Sequence, residues 1–366
     1  MQQELYTRRQ MPDISLLQNK NRKFATGLLN SISDVEGVSV GHFTLNDGKI
    51  QTGVTALLPH VGNIFTDKVP AACHVINGFG KSTGLIQIQE LGNIETPIIL
   101  TNTLSVGTAF DSLVRYMLNE NDQIGTTTGT VNPVICECND GFLNDIRGQH
   151  ISSCHIEEAL KNTKSNLGRG FERGAVGAGR GMSCYEMKGG IGTSSCIVQS
   201  LSDNYTLGAL VLTNFGKLED FSIYGKANGE LFKKLQSATS PDKGSVIVIL
   251  ATDAPLSDRQ LKRLATRAVS GLARTGAYIA SGSGEIVISF STRNKIPHYP
   301  LTEILEHQYL HEDHLDLFFS AATEAVEEAV IDSLVSAERV TGRDGHTRFS
   351  LKEFISGKLE SRIEEK

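Results

Sequence analysis

The run "SVIVILA", Ser245 to Ala251, constrains the fold more than any other part of the chain. Successive side chains of a strand alternate between faces, so Ser245, Ile247 and Ile249 share one face while Val246, Val248 and Leu250 share the other. Both sets are apolar above the serine, which makes this a strand covered on both sides. The segment before it is of another kind. Residues 216–244, "GKLEDFSIYGKANGELFKKLQSATSPDKG", are polar and read as an exposed, protease-accessible loop. A serine at that junction is either an ordinary strand edge or the new amino terminus left by a cut after Gly244.

The segments around this strand indicate what covers it. Ser257 and Gln260 have capping-box spacing. Leu261, Leu264, Ala265, Ala268 and Leu272 form the buried stripe of the helix that follows, and Gly276 ends it. "SGSGEIVISFST" is a second strand, and "FFSAATEAVEEAVIDSLVSAERVTG" reads as a long helix stopped at Gly342. Such a strand–helix–strand–helix block implies helices packed on a sheet layer. Upstream, "VTALLPH", "TPIILTNTL", "VNPVICECND" and "TLGALVLTNFG" read as strands, and "VGTAFDSLVRYMLNE" and "SCHIEEALKN" as helices. The expected organisation is an N-terminal arm over 1–30, one domain over 31–345 and a charged, peripheral tail over 346–366.

Composition removes several function classes. A net charge of −6 gives no electrostatic footprint for nucleic acid or an anionic membrane. No apolar run approaches a membrane span, and the amino terminus lacks the continuous apolar core of a secretory signal. Six scattered cysteines, whose only close pair is Cys136 and Cys138, read as reduced thiols of a cytoplasmic protein. No His, Cys and carboxylate spacing makes a convincing metal site, and no cofactor is expected. His307, His311 and His314 would share a helical face, where solvated surface is the expected reading. "NGFGKSTG" at Asn77 imitates a phosphate loop but has Val75 where that loop needs glycine. "GAVGAGRGM" and "KGGIGTSS" fit no dinucleotide register and read as turns between closely packed backbones.

The remaining signal pairs Gly244-Ser245 with Ser283-Gly-Glu285. Ser283 and Glu285, two apart on a strand, emerge on one face. Taken with "DVEGVSVGH", "NGFGKSTG", "ECNDGFLNDIRGQH", "LVLTNFG", "GSVIVILATDAPL" and "SGSGEIVISFST", in that order, the chain resembles the family of L-aminopeptidase/D-esterases and β-aminopeptidases. These are self-processing N-terminal-serine hydrolases, and the resemblance runs from Asp34 to Gly345. It implies an αββα sandwich, two stacked sheets between helical layers. It also implies a homo-oligomer acting on small peptides, amides or esters with a free amino group.

Carried onto this sequence, the resemblance makes Ser245 the nucleophile and first residue of a β-chain, 245–366, cut from an α-chain, 1–244, after Gly244. Ser283 and Glu285 would complete the network around the nucleophile, and Asn214 would donate to the oxyanion. Glu137 would bind the substrate ammonium, unless Arg147 occupies it, and Asn139 would stand beside it. The new α-amine, with a reference pKa of about 8, Ser283 and Glu285 are each able to take the serine proton. Two other functions fit the same fold: an amidase for non-peptide oligoamides, and an uncleaved binding or scaffold protein.

Overall fold

The computed structural model describes residues 22–201, 203–227 and 244–356. Most of the expected loop before Gly244 therefore lies outside the described residues, as do the first part of the arm and the last ten residues.

Two sheets stack face to face. The smaller has the order β1 (Ser39–Asp47), β2 (Ile50–Leu58), β5 (Ile98–Asn102) and β6 (Val134–Cys138). The larger runs β15 (Ile296–Pro297), β3 (Asp67–Gly78), β14 (Gly284–Ser291), β13 (Ser245–Thr252), β10 (Asn204–Asn214) and β9 (Ile191–Gln199). The short β4 (Asn93–Ile94) pairs with β3. Three two-stranded hairpins lie apart: β7 (Ser183–Cys184) with β8 (Met187–Lys188), β11 (Ser222–Ile223) with β12 (Lys226–Ala227), and β16 (Val340–Thr341) with β17 (Thr347–Arg348). Helices α2 (Val106–Glu120) and α3 (Ser153–Ser165) cover the small sheet, with α1 (Leu85–Leu91) at the edge of β3. Helices α4 (Asp258–Ala265), α5 (Ala268–Arg274) and α6 (Leu315–Val335) cover the large one. The expected αββα sandwich is the observed fold.

The twofold apolar pattern of "SVIVILA" separates two cores. Ile247, Ile249 and Ala251 belong to the core between the sheets, and Val246, Val248 and Leu250 to the core beneath α4, α5 and α6. Full burial of one aliphatic side chain contributes about 2 kcal/mol. The five from Val246 to Leu250 therefore contribute roughly 10 kcal/mol, on the order of a domain's whole net stability. A backbone cut before this strand would not release it. Glycine sets the layer spacing on both outer faces. A Cβ on Gly192 of β9 would stand 2.0 Å from the Ala329 carbonyl of α6, and one on Gly41 of β1 would stand 2.3 Å from that of Ala159 in α3.

Three expectations are corrected. The long helix ends at Val335 rather than near Gly342. Gly174 lies against the Ser336 backbone, and Val340 turns away to join Leu143 and Ala175 in a small apolar cluster. The tail is not peripheral over its first part: α7 (Leu351–Ile355) buries Leu351, Phe354 and Ile355 in the core under α6, with Ser350 and Glu353 as a capping box. The helical face expected of His307, His311 and His314 does not form. Residues 301–311 contain no helix, and His311 instead caps the single turn Glu312–His314. Among the described residues no group of three His, Cys, Asp or Glu could hold a metal, and no helix is long and apolar enough to cross a membrane.

Candidate active site

The topology brings distant segments to one end of the large sheet. β10 runs antiparallel to β13, so its last residue, Asn214, is in register with Ser245, the first residue of β13. β14 runs parallel to β13, which sets Gly284 beside Ser245 and Glu285 beside Val246. β3, antiparallel to β14, ends there too, with Asn77 opposite Glu285 and Gly78 opposite Gly284.

Ser245 is buried, 6% exposed, and its Oγ makes no hydrogen bond of regular geometry among the described residues. It shares the inter-sheet face with Ile247, next to the Cys138 thiol at the end of β6. Burial pushes that thiol well above its ordinary pKa, while the Ser245 hydroxyl and the Ile247 backbone act the other way. Gly244 is held against the end of β10: a Cβ there would stand 2.3 Å from the Asn214 carbonyl oxygen and 2.4 Å from the Phe215 Cα. Only glycine fits before the serine.

Ser283 and Glu285 are 1% and 2% exposed. The strand begins at Gly284, and Ser283 closes the turn before it, its N–H donating to the Ala280 carbonyl at 3.0 Å. Asn77 clasps that turn through Nδ2, which donates to the carbonyls of Ala280 and Ser281, both at 3.2 Å, and of Ser283. The Ser283 hydroxyl is buried with no hydrogen-bond partner among the described residues. Glu285, in register with Val246, lies on the helix-layer face and lines a small cavity with Phe215, Gly216, Leu272 and Tyr278. In the uncut chain, then, the Ser245 side chain and the Glu285 carboxylate lie on opposite faces of the sheet.

Asn214 is fixed at both ends of its amide. Its Oδ1 accepts from the Ser183 N–H at 2.9 Å, and its Nδ2 donates to the Asn139 carbonyl at 2.9 Å. An Asn214 amide flip would break both bonds, so the assignment is determined. One Nδ2 hydrogen remains for a third partner. Asn139 is exposed, and its own Oδ1 accepts from the Gly141 N–H at 2.9 Å.

Glu137 is delivered inward by β6 and is 4% exposed. Its carboxylate accepts from the Lys81 N–H at 2.8 Å and from the Thr103 hydroxyl. No cation pairs with it among the described residues; Arg147 sits in the turn Ile146–Gly148 and forms no such contact. Gly80 separates this carboxylate from the serine end of the sheet. A Cβ on Gly80 would lie 3.5 Å from Glu137 Oε1, 3.6 Å from Ile286 Cδ1 and 4.0 Å from the Gly284 Cα. "NGFGKSTG" is thus part of the site through its backbone, not as a phosphate loop. Lys81, Thr103, Asn77, Ser183 and Cys138 are the neighbours that pattern reasoning missed. Their contributions are mainly backbone groups, hydroxyls or a thiol, for which periodicity carries no signal.

A buried serine at a strand start, in register with an asparagine amide that has a hydrogen to spare, is the kind of centre expected of an N-terminal nucleophile (Ntn) hydrolase. Comparison with known proteins gives that class directly. The chain is 33% identical to the L-aminopeptidase D-Ala-esterase/amidase of Ochrobactrum anthropi, described as a prototype of the serine aminopeptidases and a variant of the Ntn hydrolase fold. That match covers 94% of this chain and 96% of the other, with a TM-score of 0.85. The profile of Peptidase family S58 matches residues 30–348, and the chain belongs to that family as a serine-type aminopeptidase. It is 36% identical over 344 residues to the beta-peptidyl aminopeptidase BapA of Sphingosinicella microcystinivorans, covering 88% of this chain and 85% of that one. Its structure also matches the PH0078 protein of Pyrococcus horikoshii OT3, with 50% identity, a TM-score of 0.88 and coverage of 95% and 98%.

Proposed function

We propose that the protein cuts itself between Gly244 and Ser245 and then uses Ser245 to hydrolyse small peptides, amides or esters that carry a free amino group. The observation that carries the substrate reading is Glu137: a buried carboxylate with two hydrogen-bond donors, no cation beside it among the described residues and a position across Gly80 from the serine end of the sheet. A buried carboxylate is costly unless a cation meets it, and a substrate ammonium supplies one. The beta-peptidyl specificity named for the Sphingosinicella relative is one form such a substrate takes.

In self-cleavage the Ser245 Oγ adds to the Gly244 carbonyl carbon, the C–N bond breaks as the Oγ proton passes to the leaving nitrogen, and an ester joins Gly244 to Oγ beside the freed Ser245 amine. Water opens the ester, giving the Gly244 carboxylate and restoring the Ser245 hydroxyl. The tight seat of Gly244 against Asn214 and Phe215 favours this reaction, because it holds the scissile peptide in one geometry beside its nucleophile. In turnover, Oγ attacks the substrate carbonyl and its proton passes to a neighbouring base. From there the proton moves to the departing amine or alcohol as the C–N or C–O bond breaks, and water then hydrolyses the acyl-serine ester to release the acid and restore the hydroxyl. The α-amine is covalently held beside Oγ, and the reference pKa of such a group is about 8. Ser283 and Glu285, buried at the adjoining strand end, would complete the network once the cut frees the Ser245 end, because in the uncut chain the Glu285 carboxylate lies on the other face of the sheet. The remaining Asn214 N–H donates to the tetrahedral oxygen, a contact whose loss typically costs about 3 kcal/mol.

A panel of small amides tests this reading. Free-amine substrates should be cleaved and their N-acetylated counterparts should not. Equal hydrolysis of both would overturn the aminopeptidase reading in favour of an oligoamide amidase.

A further inference from the structure

A buried ammonium lies next to the Asn214 network and has no part in the scheme above. Lys188, in β8, is fully buried, and its Nζ donates to the carbonyls of Gly179 and Met182, both at 2.8 Å, and of Gly189 at 2.6 Å. An ammonium has three donors and no acceptor, and here each donor meets a carbonyl oxygen. A neutral amine would turn its lone pair onto one of those oxygens. Burial and the nearby Arg180 push its pKa well below the ordinary value, with Cys184 and Asp140 acting the other way. Against that stand the three carbonyls, which satisfy only the charged form.

One of these carbonyls does a second thing. The Met182 C=O and the Ser183 N–H belong to a single peptide group, and that N–H is the donor to Asn214 Oδ1. The bonds run in series, from the Lys188 ammonium through the Met182–Ser183 peptide to the Asn214 amide, and from there to the Asn139 carbonyl. Amides aligned in this way polarise one another, strengthening each bond by roughly 10–30%.

We propose that Lys188 is a positioning residue for the oxyanion donor: relayed through the Met182–Ser183 peptide, its charge fixes the orientation of the Asn214 amide and strengthens its remaining N–H as a donor. The inference rests on the reading of Asn214 as the oxyanion donor. It adds that this donor is tuned by a charge that never touches the substrate.

The test is a double-mutant cycle on matured protein with a free-amine anilide substrate. Lys188→Met removes the charge and keeps the chain length. It should lower kcat about tenfold, a part of what loss of a whole oxyanion donor costs, and leave KM nearly unchanged. In an Asn214→Ala background the same change should have no further effect on kcat. A merely structural role would instead add to the Asn214→Ala loss, and multiplying losses overturn the proposal. So does a normal kcat in Lys188→Met when Asn214→Ala is slow. If Asn214→Ala alone turns over normally, it is the oxyanion reading that fails, and the two failures are distinct. Should Lys188→Met not fold or mature, the nitrogen-15 resonance of Lys188 Nζ in the wild-type protein decides. An ammonium throughout the pH range of activity supports the relay, and a neutral amine within that range refutes it.

Discussion

Replacing Glu137 with glutamine removes a charge and almost nothing else. The carboxylate accepts one bond from the Lys81 N–H and one from the Thr103 hydroxyl. A glutamine Oε1 can keep the first. Its NH2 then faces Thr103, whose hydroxyl rotates from donor to acceptor. The pocket therefore keeps its shape and its internal hydrogen bonds, and the fold should be close to unaffected. On the proposed reading, what disappears is a charge-assisted contact to the substrate ammonium, worth about 1.5–3 kcal/mol. That corresponds to a fall in kcat/KM of about 10- to 150-fold. Most of it should appear in KM, because the ammonium is held alike in ground and transition states. The assay is steady-state hydrolysis of a free-amine amide by the wild type and by Glu137→Gln, with the mass of each protein as a control. Self-cleavage needs no substrate amine, so both proteins should mature equally. A Glu137→Gln enzyme with unchanged kcat/KM would refute the ammonium site, and one that folds but fails to mature would show that Glu137 serves Ser245 instead.

Two further outcomes follow from the same geometry. Ser283→Ala and Glu285→Gln should each slow turnover, and the double variant should be little worse than either, because groups acting as a unit are not additive. Self-cleavage should respond less to Glu285→Gln, since that carboxylate lies on the other face of the sheet from Ser245 in the uncut chain, and normal kcat in both single variants would reduce this strand end to a structural role. Asp140, buried beside the Asn139 carbonyl that holds Asn214, has a pKa pushed up to about 7 by desolvation. An acid whose folded-state pKa is raised contributes stability below its unfolded value of 3.8, and that contribution is lost as pH rises through about 7. Melting temperatures across that window should decline in the wild type and decline less in Asp140→Asn; parallel curves would show that Asp140 ionises without penalty.

Where local pattern and tertiary environment agreed, the sequence was readable. "SVIVILA" announced a strand covered on both faces, and the observed cores divide along its alternation. The Ser257–Gln260 capping box and the helix over Val106–Glu120 formed where their spacing put them. The pattern misled where short-range chemistry was overruled by packing. "LKEFI" has apolar residues one helical turn apart, but flanking charges hid a segment too short to register. The histidines near 311 had helical spacing without a helix to carry it. Lys188, at the head of "KGGIGTSS", carried no signal of its own in the sequence, and only the fold supplies its three carbonyls. The meeting of Asn214, Ser245 and Gly284 depends on strand order and register. Separations of tens of residues encode neither, so only resemblance to a family linked them beforehand.

The central claim is that Ser245 acts as a new amino terminus, and the intact mass of the purified, active protein tests it most directly. Two chains, 1–244 and 245–366, are expected, remaining associated under native conditions because β13 is locked between two cores, with a single inactive full-length chain for Ser245→Ala. Wild-type protein that stays as one chain of 366 residues and still hydrolyses a free-amine amide would contradict it.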